Sequence, residues 1–120
     1  GLSFDHRGVL WIQTDVSSST INSKDYKGMG NNQMVATIPG TNEFRRFLTG
    51  PRGCEITGIA FTPDNRTLFI NIQHPGEPSE GLSDPQHPTA VSSWPDGDKA
   101  GRPRSSTVVI VKADGGIIGT

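Results

Sequence analysis

The sequence has a single cysteine in 120 residues, which excludes an internal disulfide framework and any site built from several cysteines. It also lacks an excess of either charge. Eleven Lys and Arg stand against twelve Asp and Glu, for a net charge of −1, so nothing favours a nucleic acid or an anionic membrane surface as partner. No apolar run approaches the roughly 20 residues of a bilayer span, and the N-terminus has no basic-then-apolar leader pattern. Hydrophobic residues make up only 32%, but 15 glycines bring the total near the globular range, so chain-wide disorder does not follow. Helical periodicity is missing too, because Gly or Pro interrupts nearly every long window.

What is present reads as strands. "GLSFDHRGVLWIQTD" (Gly1–Asp15) can be laid over "GIAFTPDNRTLFINIQ" (Gly58–Gln73). Gly1 matches Gly58 and Phe4 matches Phe61. One extra residue in the second turn then brings Leu10 to Leu68, Trp11 to Phe69 and Ile12 to Ile70. Asp5-His6-Arg7-Gly8 and Thr62-Pro63-Asp64-Asn65 have the composition of short hairpin turns. A third strand is expected over Asn32–Ile38 and a fourth over Glu43–Gly50. In the second unit, Ser106–Ala113 supplies a third strand and Ile117-Ile118 the stub of a fourth. A repeat near 57 residues suits one four-stranded propeller blade.

The expected fold is all-β, about two antiparallel blades, at residues 1–50 and 51–120. The strands are apolar on both faces, as in Val9–Thr14 and Ser106–Val111, and blades of a propeller are covered on both sides. Two blades cannot close a ring, so their outer faces call for the remaining blades or for self-association. The first residue falls within a strand pattern, which suggests a fragment of a longer chain. Residues 74–106 form an insertion with six of the nine prolines, read either as a mobile flap or as a functional loop. Trp94 within it argues for docking on something.

Candidate chemistry gathers around "PRGCEITG". Glu55 stands at the entry of an apolar strand, where a carboxylate either binds a cation or pairs with an arginine such as Arg52. Cys54 reads as a small buried side chain. Asp15 is either a hard-cation ligand or a turn former. His74 and Glu77 lie at a sheet end, in a segment that is equally an ordinary loop entry. Arg102 and Arg104 either clamp a phosphate or are solvated. "GMGNNQ" is no dinucleotide loop, since it lacks the last glycine and precedes a strand. "NRT" (Asn65–Thr67) matches a glycosylation sequon but sits in a tight turn, and the three histidines lack zinc spacing.

"NNQMVA", "RRFLTGPRGCEITGIAFTPDNRTLFINIQHPGE", "SSWPDG" and "GRPRSSTVVI" resemble the C-terminal part of the PhoX-type alkaline phosphatases. The resemblance implies a six-bladed propeller, exported to the periplasm or beyond, that hydrolyses phosphate monoesters with calcium and iron. It carries Glu55, within "RGCE", over as a metal ligand, with Asp15 and Glu77 as further candidates and Arg104 as a phosphate contact. The cysteine it assigns to iron lies upstream, so Cys54 need not be it. Most ligands would then come from other blades, and the fragment alone is expected to be inactive. The alternatives are a lactonase-type calcium-binding propeller, a non-catalytic interaction propeller, and the remnant of a damaged gene.

Overall fold

The structure, a computed structural model, describes residues 1–97 and 101–120; positions 98–100 of the expected insertion lie outside the described residues. Among the described residues, seven strands form two antiparallel sheets. The first sheet runs β1 (Leu2–Phe4), β2 (Leu10–Gln13), β3 (Gln33–Thr37) and β4 (Phe44–Thr49), in that order. The second runs β5 (Glu55–Phe61), β6 (Thr67–Gln73) and β7 (Ser106–Val111). Among the described residues, the only helical element is a 3-10 turn at Lys24–Tyr26, and no helix is long and apolar enough to cross a membrane.

The sequence repeat reappears in the pairing. Phe4 lies opposite Leu10 and Leu2 opposite Ile12; Phe61 lies opposite Leu68 and Ile59 opposite Ile70. The extra residue of β5 is absorbed at Gly58, where the register shifts between Thr57 and Ile59. Gly58 has φ 54°, and a Cβ there would collide with the Asn71 amide, so the bulge needs glycine.

The sheets meet face to face through Trp11 and Met34 on one side and Ile56, Leu68, Ile70 and Ile72 on the other, all buried. Each such aliphatic side chain contributes about 1.5–3 kcal/mol by leaving water. Trp11 stacks edge-on to Phe47 at 5.1 Å and tilts against Phe61 at 5.4 Å. Gln13 crosses the gap, its Nε2 donating to the carbonyls of Thr57 (3.2 Å) and Gly58 (3.0 Å). Trp94 packs on the same core from the proline-rich insertion, as expected for a docked tryptophan.

The expected fourth strand at Ile117-Ile118 does not form, and among the described residues the second sheet has three strands. After the Gly115 turn the chain instead crosses towards the first sheet. Ile118 is buried at 1% exposure; its N–H donates to Asn65 O (2.9 Å), and its carbonyl accepts from Arg7 Nη2 (2.7 Å). Two apolar residues flanked by glycines are too few to hold a β ladder. Plugging the gap between sheets buries the side chain and satisfies the backbone at once. Asn65 is itself buried, which leaves the "NRT" sequon without an accessible acceptor.

Candidate functional site

The two ends of the sheets are built differently. The tight turns at residues 5–8, 39–42, 62–66 and 113–116 close one end. The long segments 14–32, 50–54 and 74–105 gather at the other. There they enclose a cavity of about 820 Å³, lined among others by Asp15, Asn31, Arg52, Glu55, His74 and Glu77. Asp15 arrives just after β2, Glu55 opens β5, and His74 follows directly on β6. Antiparallel pairing sets Glu55 opposite Gln73, which brings the Glu55 and His74 backbones to the same sheet end.

His74 sits between two carboxylates. Its Nε2 lies 3.8 Å from Glu55 Oε2, its Nδ1 lies 3.7 Å from Glu77 Oε2, and Nδ1 is also 3.3 Å from the Gly53 carbonyl. Its backbone is held at φ 37°, the left-handed region that a β-carbon disfavours, with its N–H donating to Ser105 Oγ. The Glu55 side chain keeps 23% of its surface exposed, into the cavity. The expected alternative partner, Arg52, makes no ion pair with it, though it lines the same cavity.

The loop carrying Arg52, Gly53 and Cys54 is pinned by two asparagines. Asn31 Nδ2 donates to Cys54 O (3.0 Å) and Sγ (3.3 Å), while its Oδ1 accepts from Gly53 N (3.1 Å). Asn32 Nδ2 donates to Cys54 O (3.1 Å), and its Oδ1 accepts from Thr14 Oγ1 and Val16 N. Gly53, at φ 69°, lies so close to Glu77 that a Cβ would collide with that residue's backbone. Both asparagines were passed over within "GMGNNQ". The available signal was an Asn pair directly ahead of a strand, the residue type that ties loops through its side chain.

Cys54 is buried at 2% exposure, and burial pushes its thiol up to about 12 despite the Asn31 hydrogen bond. It is therefore protonated at neutral pH and a poor nucleophile, in keeping with its reading as a small buried side chain.

Of the residues singled out from the sequence, Asp15, Arg52, Cys54, Glu55, His74 and Glu77 line one cavity. Arg104 is not on that lining. Its guanidinium grips Asp96, with Nη2 to Oδ1 at 2.9 Å and a second contact from Nη1 to Oδ2. Arg102 lines an adjoining hollow of about 450 Å³, which shares His74 and Glu77 with the first. Carboxylate oxygens are the hard donors that calcium prefers, so Asp15, Glu55 and Glu77 suit part of such a ligand set. They do not complete one: among the described residues, no three His, Cys, Asp or Glu side chains are grouped closely enough to hold a metal ion.

The family model of alkaline phosphatase PhoX matches residues 1–76. No curated protein matches the chain. The solved structure of Pseudomonas fluorescens PhoX in complex with vanadate, a transition state analogue, is 50% identical, with a TM-score of 0.80. The match covers 99% of this chain and 18% of that one, so the chain spans less than a fifth of that protein's length. Well over half of the chain falls within the family model, and half of its aligned residues are shared with a PhoX structure across both sheets: the chain belongs to the alkaline phosphatase PhoX family.

Proposed function

We propose that residues 1–50 and 51–120 are two successive blades of a six-bladed propeller, and that their open end forms one wall of a metal-dependent phosphomonoesterase site. The observation that carries this reading is that Asp15, Glu55 and Glu77 line one cavity together with Arg52. Anionic oxygens for a cation and a cationic fork for a phosphoryl oxygen are the pair of functions that phosphate ester hydrolysis needs. Family membership supports the reaction class, and the vanadate bound to the Pseudomonas protein is consistent with it. The repeated strand register supports the division into blades.

Glu55 is the first candidate for a calcium ligand in this wall, with Asp15 and Glu77 beside it. Their number falls short of the six to eight oxygens calcium takes, so the other ligands would lie outside these 120 residues. Calcium and iron, when bound, would supply Lewis acidity at the phosphoryl group. Cys54 is buried and bonded by Asn31, and this reading gives it no metal. For the phosphate contact Arg52 is better placed than Arg104, which is occupied with Asp96 and absent from the lining. The Asn31 and Asn32 hydrogen bonds fix the Gly53–Cys54 backbone between Arg52 and Glu55. The setting that fits this activity is an exported one, periplasmic or secreted.

The test is Glu55→Gln in a full-length family enzyme carrying this segment. Turnover of an aryl phosphate should fall by on the order of 100-fold, as for loss of a catalytic metal ligand. Undiminished turnover would remove Glu55 from the site. The 120-residue chain by itself is expected to release no phosphate.

A further inference from the structure

The turn after β6 is packed onto the loop that carries Arg52. Gly76 N–H donates to Arg52 O (2.8 Å), Glu77 N–H donates to Gly53 O (3.3 Å), and His74 Nδ1 lies 3.3 Å from the same Gly53 carbonyl. A carbonyl oxygen only accepts, so Nδ1 is the donor. The fit leaves no room for a methyl group: a Cβ on Gly53 would meet the Glu77 backbone, and one on Gly76 would meet the Pro103 ring. The far root of the insertion closes the clasp, since Ser105 Oγ accepts the His74 N–H at 3.0 Å.

Histidine is a poor backbone choice at position 74. Its φ of 37° lies in the left-handed region, and the following Pro75 favours extended backbone in the residue ahead of it. Glycine or asparagine would hold this turn with less strain. Strained backbone persists where its surroundings over-determine it, and such positions cluster at functional sites. The gain here lies in the ring. One nitrogen reaches Gly53, directly after Arg52, and the other is turned towards Glu55 at 3.8 Å.

We propose that His74 is a positioning residue for the phosphate contact of this site. Its ring holds the Gly53 carbonyl, and with it the backbone that presents Arg52, against the turn bearing Glu77. Asn31 Oδ1 takes the Gly53 N–H, so the peptide groups on both sides of this one residue are gripped by side chains. With the ring gone, Gly53 O keeps the Glu77 N–H, so the fold survives and only the aim of the Arg52 segment loosens. The inference rests on reading the cavity as the wall of a phosphomonoesterase site.

Steady-state kinetics of a full-length family enzyme carrying this segment test it, with inorganic phosphate as competitive inhibitor. His74→Ala should raise KM for an aryl phosphate and Ki for phosphate by a common factor of about tenfold, with kcat lowered less than about threefold. His74→Gly relieves the backbone, so it should be equally impaired while melting no lower than wild type. His74→Asn tolerates the left-handed region and places Nδ2 where the ring has Nδ1, so it should stay within about threefold of wild type. Metal content should match wild type in all three. Arg52→Ala is the reference. If it leaves KM and Ki unchanged, the reading of the site fails and takes this inference with it. If it raises both while His74→Ala and His74→Gly do not, the positioning role alone is overturned. A wild-type KM in His74→Gly, an Asn variant no better than Ala, or metal lost from the variants would overturn it as well.

Discussion

Asp5 and Glu55 are acidic residues at opposite ends of the sheets, and their surroundings have almost nothing in common. The Asp5 side chain is fully buried and accepts five hydrogen bonds, from Arg7 Nε and Nη2, Trp11 Nε1 and the backbone N–H groups of Arg7 and Val9. Burial alone would push its carboxyl up, but the Arg7 and Trp11 bonds and the two backbone bonds together hold it below the usual carboxylate range. Among the described residues Glu55 has one ionisable group within 4 Å, His74 at 3.8 Å, and opens into a cavity that Arg52, Asp15 and Glu77 also line. A carboxylate with every lone pair used is structural. One left underused beside an arginine and other carboxylates is available for a ligand.

Substitution should separate the two ends sharply. Asp5→Ala leaves the Arg7 guanidinium, the Trp11 N–H and two backbone N–H groups without their acceptor, and should cost on the order of 3 kcal/mol. The melting temperature should drop by roughly 10 °C or more in a circular dichroism melt. The same carboxylate has a pH signature. Its folded pKa is depressed, so its stabilisation is fully present above the ordinary value of 3.8 and is lost as pH falls through the lower, folded value. Melts taken in acid should therefore fall away in the wild type and much less in Asp5→Asn; equal slopes would deny Asp5 this role.

Asn32→Ala probes the boundary between scaffold and site. The side chain is buried and holds both Val16 and Cys54, so about 1–3 kcal/mol should be lost. In a full-length enzyme carrying the segment, activity should fall further than the stability loss explains, because the Cys54 backbone directly ahead of Glu55 loses an anchor. A variant with normal turnover at temperatures where it stays folded would refute the anchoring. Glu55→Gln should move the melting free energy of the chain by no more than about 0.5 kcal/mol, since no folded-state hydrogen bond depends on its charge. A large loss there would make Glu55 structural and erase the contrast with Asp5.

The strands were legible from local pattern. β2, β3, β4 and β6 fall within a residue or two of the segments marked by alternation and turn composition, and the Phe4–Leu10 and Phe61–Leu68 rungs follow from the repeat. Ile117-Ile118 was misread because an apolar pair after a Gly-rich turn looks locally like a strand. Its partners, Asn65 O and Arg7, lie about fifty and over a hundred residues away. Arg104 was legible as a phosphate-binding type of side chain, but its pairing with Asp96 closes across the insertion and leaves no local trace.

The order of residues along this chain carries the strand periodicity, the turns and the repeat, because each depends on backbone preferences and neighbours a few positions apart. It also carries the family, through "RGCE" and the segments around it. Which carboxylate is consumed by the scaffold and which is left facing a cavity was decided in three dimensions. Asp5 meets Trp11 and Arg7 beside the Ile118 plug, while Glu55 meets His74 only because β5 and β6 pair in one register. The free energy of a carboxylate depends on how many donors and how much water surround it, and those are set by packing between distant segments.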